Sequence, residues 1–128
     1  MQKQYKNNPN NFLDKIIKFK GKYKIDSRNI NSGDIFIALK GSKDHGENYI
    51  EHAINNKAKF VISEKIIPRF RDRIILVNNC FSALKLIAGY KRSNYNGKII
   101  GITGSVGKTS VKEQLNYFLN FIFKTYSS

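Results

Sequence analysis

Apolar residues along this chain come in short bursts separated by polar, glycine-bearing stretches, and the period within each burst tells strand from helix. Residues 35–39 (Ile-Phe-Ile-Ala-Leu) form an unbroken apolar run, the pattern of a strand buried on both faces. Residues 60–62 and 74–77 are two further runs of the same kind, also read as strands. Over 48–56, Tyr49, Ile50, Ala53 and Ile54 fall on one side of a short helix. Between 80 and 92, Leu84, Ile87, Ala88 and Lys91 recur at helical spacing, which predicts a helix with one apolar stripe. A short helix or strand is expected over 12–19, after a loose start around Pro9. Asp26-Ser27-Arg28 opens a turn region that runs on through Asn31-Ser32-Gly33, and 41–46 is a loop. Strands alternating with helices imply an α/β domain with a mainly parallel or mixed sheet.

The turn-forming stretch Ser93-Asn94-Tyr95-Asn96-Gly97 marks a boundary, dividing the chain into 1–95 and 96–128. Beyond it, 98–103 is read as a strand and a helix follows, on which Val111, Leu115, Phe118, Leu119 and Ile122 share a face suited to core packing. One strand and one helix cannot cover both faces of a sheet, so 97–128 is expected to be the opening unit of a larger nucleotide-binding domain.

Between that strand and that helix lies Gly104-Ser105-Val106-Gly107-Lys108-Thr109-Ser110, with Gly101 just before it. Glycines allow the backbone to curl so that several N–H groups converge on an anion, and the helix N-terminus behind them adds partial positive charge. Lys108 is placed to reach the β- and γ-phosphates of a nucleoside triphosphate, and the Thr109 hydroxyl to hold Mg²⁺. The most general phosphate-loop pattern would require glycine at 102, where this chain has Ile102.

Composition narrows the classes. The chain has 128 residues, 41% hydrophobic and 25% charged, as in a globular protein with a modest core. No apolar run approaches membrane-spanning length, and the polar residues 1–11 lack a signal-peptide pattern, so a cytoplasmic protein without membrane attachment is expected. The one cysteine, Cys80, excludes an internal disulfide framework and is read as a small buried hydrophobe. A net charge of +14 invites a nucleic-acid reading. The lysines, however, are scattered through the chain and no aromatic-interleaved RNA motif or zinc spacing is present, so no specific nucleic-acid partner is expected.

Three segments in order carry a family resemblance: Asp26-Ser27-Arg28, then Gly33-Asp34-Ile35-Phe36-Ile37-Ala38-Leu39-Lys40-Gly41, then the glycine loop. Together they resemble the bacterial Mur ligases, the ATP-dependent amide-forming enzymes of peptidoglycan precursor synthesis. Ser110-Val111-Lys112-Glu113 after the loop is most similar to the branch that joins D-alanyl-D-alanine to UDP-N-acetylmuramoyl-tripeptide.

The resemblance implies a small N-terminal α/β substrate-binding domain over 1–95, holding the UDP-sugar. It also implies that 96–128 begins a central ATPase domain that is incomplete here. It gives Gly104, Ser105, Val106, Gly107, Lys108, Thr109 and Ser110 to ATP, with Lys108 catalytic and Thr109 near Mg²⁺. Ser27 and Arg28 would face the uridine diphosphate; the alternative is a turn in which Asp26 and Ser27 bond only local backbone. The implied chemistry runs through an acyl phosphate that the D-alanyl-D-alanine amine then attacks, in a protein expected to be monomeric at full length. This chain alone is expected to be inactive. Asp44-His45-Gly46-Glu47-Asn48-Tyr49 departs in order from the family's usual stretch, so His45 is read as a solvated loop histidine and His52 as a helix-surface residue. Alternative readings are the sister ligase that adds the third amino acid, a non-catalytic UDP-sugar-binding module, and a basic nucleic-acid-binding protein.

Overall fold

The computed structural model describes residues 21–42 and 44–128, together with Ile16 and Phe19. The element expected over 12–19 therefore lies outside the described residues, apart from those two. The chain divides into two compact units, Met1–Tyr95 and Asn96–Ser128.

Among the described residues of the first unit, the three apolar runs become strands β2 (Ile35–Ile37), β3 (Phe60–Ser63) and β4 (Ile74–Leu76), and a two-residue strand that no apolar run announces, β1 (Tyr23–Lys24), joins them. All neighbours pair in parallel, in the order β1-β2-β3-β4. In β2 and β3, Ile35, Phe36 and Ile37 stand opposite Phe60, Val61 and Ile62. Alternate side chains then go to opposite faces. Phe36 and Val61 meet Ile50, Ala53 and Ile54 of helix α1 (Ile50–Asn55) on one face. Ile35, Ile37 and Ile62 meet Cys80, Ala83 and Ile87 of helix α2 (Cys80–Ser93) on the other. This two-sided cover is why β2 reads as a continuous apolar run rather than an alternating one. Ile37 and Ile62, paired in register and fully buried, each contribute about 1.5–3 kcal/mol of transfer free energy.

The buried stripe of α2 differs from the one expected. Cys80, Ala83 and Ile87 carry it, with Leu84 at its edge, while Ala88 and Lys91 are exposed. Lys91 instead lays its ammonium 4.7 Å from the centroid of the Tyr23 ring.

Local chemistry fixes the helix ends. α1 closes with Lys57 N–H donating to Ile54 O and Ala58 N–H to Ala53 O, both at 3.0 Å. That pair of bonds requires a left-handed residue, here Lys57 at φ 69°. α2 starts with the Asn79 side chain accepting from Ser82 N–H at 2.8 Å and the Glu64 carboxylate accepting from Cys80 N–H at 2.9 Å. Cys80 itself is fully buried beneath them, as expected for a small hydrophobe, and burial pushes its thiol up to about 11. Asp34 is also buried, and it accepts from the backbone N–H groups of Lys22 (3.3 Å) and Asn31 (3.0 Å). Those bonds tie the entrances of β1 and β2 together.

In the second unit the regular element is helix α3 (Lys108–Leu119). The strand expected over 98–103 does not form. An extended segment leaves its N–H and C=O groups unpaired without a neighbouring strand, and this unit offers none among the described residues. Ile99 and Ile100 are accordingly exposed, and so are Val111, Phe118 and Ile122 on the face expected to pack in a core. Tyr117 instead packs edge-on against Phe118 and Phe121, with ring centroids 5.5 and 5.1 Å apart.

Candidate functional site

The turn before α3 takes its shape from two glycines at positive φ, Gly104 at 151° and Gly107 at 80°. A side chain at either position would be strained by the backbone alone. Gly107 is the N-cap residue and supplies no side-chain acceptor, so the first-turn N–H groups of Lys108, Thr109 and Ser110 have neither an intrahelical partner nor a cap. The helix itself begins with Val111 N–H donating to Gly107 O at 3.0 Å. The Lys108 ammonium folds back and donates to Gly104 O, which keeps the charge over the loop. Ser105, Val106, Thr109 and Ser110 are exposed around it. An uncapped helix N-terminus and an ammonium share this turn, and both favour a negatively charged neighbour.

Asp26, Ser27 and Arg28 lie at the carboxyl end of β1, in the other unit. The Asp26 side chain caps the 3-10 helix Ser27–Asn29 by accepting from Arg28 N–H at 3.0 Å. The Arg28 guanidinium grips the same carboxylate through Nε (2.9 Å) and Nη2 (2.8 Å) and holds its pKa down to about 2. Asp26 thus bonds its own turn, one part of the local reading. Ser27 does not: it is buried, and its Oγ lies 2.9 Å from Nδ1 of His52 on α1. The Asn56 side-chain nitrogen, one turn along α1, donates to Ser27 O at 2.9 Å.

His52 was expected to be a plain surface residue. It is exposed, but one ring nitrogen is engaged with Ser27. The signal that could have found it is the polar pair His52 and Asn56, spaced i, i+4 beside the buried stripe of α1. His45 is an exposed loop residue, as expected, and its backbone bridges to Lys40. The carboxylate of Asp44 gathers that loop, accepting from His45 N–H, the Asn48 amide and the Tyr49 hydroxyl.

Among the described residues, no cluster of three or more His, Cys, Asp or Glu side chains forms a metal cage, and no helix is long and apolar enough to cross a membrane.

The family model described as "Mur ligase family, catalytic domain" matches residues 22–92, more than half of the chain. The chain belongs to the Mur ligase family. Among relatives in this family, the UDP-N-acetylmuramoyl-tripeptide–D-alanyl-D-alanine ligase of Rickettsia prowazekii is 48% identical over 104 residues, covering 80% of this chain and 23% of the relative. A second Mur ligase, the UDP-N-acetylmuramoyl-L-alanyl-D-glutamate–2,6-diaminopimelate ligase of Buchnera aphidicola from Acyrthosiphon pisum, is 36% identical over 109 residues, covering 77% of this chain and 22% of its own. Among solved structures, the MurF ligase of Thermotoga maritima in complex with ADP matches with a TM-score of 0.65 at 34% identity, covering 81% of this chain and 24% of that one. The α/β architecture is therefore that of the Mur ligases, and the chain spans about a quarter of the length of the relatives it matches.

Proposed function

We propose that this chain belongs to an ATP-dependent ligase that joins D-alanyl-D-alanine to UDP-N-acetylmuramoyl-tripeptide in the cytoplasm. The observation that carries the reading is the uncapped α3 N-terminus, with Gly104 and Gly107 at positive φ and Lys108 folded over the loop. In this reading the N–H groups of 104–110 and the Lys108 ammonium bind the phosphates of ATP. They stabilise the charge that spreads over the γ-phosphoryl oxygens during transfer. Mg²⁺, held in part by the Thr109 hydroxyl, would neutralise further phosphate charge.

The peptide carboxylate of the UDP-sugar attacks the γ-phosphorus, forming an acyl phosphate as ADP departs. The D-alanyl-D-alanine amine then attacks the acyl carbon, giving up a proton as phosphate leaves. Ser27 and Arg28 hold the uridine diphosphate end of the substrate. Identities of 48%, 44% and 36% with UDP-N-acetylmuramoyl-tripeptide–D-alanyl-D-alanine ligases support this branch. The 36% identity to a diaminopimelate-adding ligase supports the sister activity as a second reading.

The test is amide formation by the whole gene product, with ATP, the UDP-sugar peptide and each amine in turn. Product with D-alanyl-D-alanine, and a loss of about 10²–10³-fold in kcat for Lys108→Ala, is the expected result. Product with a diaminopimelate-type amine instead favours the sister ligase. Undiminished turnover in Lys108→Ala overturns the assignment of the loop.

A further inference from the structure

Ser27 is buried, yet its hydroxyl is not fully used by the fold. A serine hydroxyl can donate one hydrogen bond and accept two. Its contact with His52 Nδ1, at 2.9 Å, uses one of those capacities, and which one depends on where the imidazole carries its proton.

Asn56 decides that. Its side-chain nitrogen, rather than its oxygen, must face Ser27 O, because a carbonyl can only accept. The same NH₂ group lies 3.4 Å from Nε2 of His52, so that ring nitrogen faces a donor and is the unprotonated one. The proton then sits on Nδ1, and His52 donates to Ser27 Oγ. Among the described residues Ser27 Oγ has no other hydrogen bond, so none of them receives its O–H.

We propose that His52 is a positioning residue: held by Asn56 as the Nδ1–H tautomer, it fixes the Ser27 hydroxyl as a donor, and this subsite therefore selects a ligand oxygen that accepts. The proposal rests on the reading that Ser27 meets the uridine nucleotide, whose carbonyl and phosphate oxygens are acceptors of that class. His52 and Ser27 lie together at the carboxyl end of β1, the rim where open parallel sheets bind ligands. A serine free to rotate would present donor and acceptor equally and would have to be ordered on binding.

Calorimetric titration of the full chain with UDP tests this. Ser27→Ala and His52→Ala are each expected to weaken UDP about ten-fold, and the double variant to bind no more weakly than Ser27→Ala alone. His52→Asn puts an amide nitrogen where Nδ1 lies and is expected to stay within about two-fold of wild type, whereas His52→Gln should not. In wild type, the ¹⁵N signals of His52 should carry the signature of a protonated Nδ1, a measurement that needs no variant to fold. If Ser27→Ala weakens UDP while His52→Ala does not, or if His52 proves to be the Nε2–H tautomer, the positioning role is overturned. If Ser27→Ala binds UDP as wild type does, the nucleotide reading of Ser27 itself fails.

Discussion

Replacing glycine with alanine should have opposite effects at two places in the first unit. At Gly46 an added Cβ would stand 2.7–2.8 Å from three backbone atoms of Ala38 and Leu39. Those atoms cannot swing aside, because Gly46 N–H donates to Leu39 O at 2.8 Å and Ala38 N–H to Ile62 O at 2.9 Å. Forcing them apart costs about 1–3 kcal/mol, as for other overpacked interiors. The stiffer unfolded chain returns about 0.4–1 kcal/mol, leaving a net loss of up to about 2.6 kcal/mol, centred a little above 1. At Gly89, inside α2, an added Cβ meets nothing within 4 Å. There the change should stabilise the unit by about 0.8–1 kcal/mol, the helix-propensity difference alone. Because both sites lie in the unit Met1–Tyr95, one urea titration followed by far-UV circular dichroism reads them on the same transition. The midpoint should fall for Gly46→Ala and rise for Gly89→Ala, with the slope unchanged. A midpoint that rises for Gly46→Ala would show that backbone approach at Ala38 is not what holds position 46 to glycine, and one that falls for Gly89→Ala would refute the open space at 89.

Other expectations follow from single observations. Lys57→Gly should raise the urea midpoint by about 0.5–1 kcal/mol of stability, since a β-carbon at φ 69° is strained and glycine is not; a lower midpoint would refute this. The Arg28 grip places the Asp26 pKa at about 2, below the ordinary 3.8, so its stabilising effect is complete above the ordinary value and is lost as pH falls through about 2. Asp26→Asn should therefore flatten the acid limb of the stability profile between about pH 4 and pH 2, and an unchanged limb would count against the pairing. With its thiol raised to about 11 and fully buried, Cys80 should react with an aromatic disulfide reagent at about pH 8 only as fast as the unit unfolds. Rapid labelling in the absence of denaturant would contradict that burial.

The strands were legible where burial was two-sided. Ile35 to Ile37 had to be apolar at every position because α1 and α2 cover opposite faces of one narrow sheet. The short helix over 48–56 was legible only in part: Ile50, Ala53 and Ile54 are buried, but Tyr49 turns away to bond Asp44. The expected strand over 98–103 failed because apolar content cannot create a pairing partner. Glycine spacing announced the loop, since positive φ at 104 and 107 is a demand made on residue type itself. The His52 contact was hidden for the opposite reason. It joins positions 25 residues apart, and nothing local in either segment reports the other.

The all-parallel sheet has one further consequence. Every strand of the first unit runs the same way, so its two rims carry different responsibilities. The rim of strand entrances is cross-linked through Asp34, whose carboxylate serves Lys22 and Asn31 and whose carbonyl accepts from Lys59 N–H at 2.7 Å. The rim of strand exits bears Asp26, Ser27 and the Asp44 loop. Substitutions at the exits can therefore change the surface presented there while leaving the cross-links at the entrances untouched.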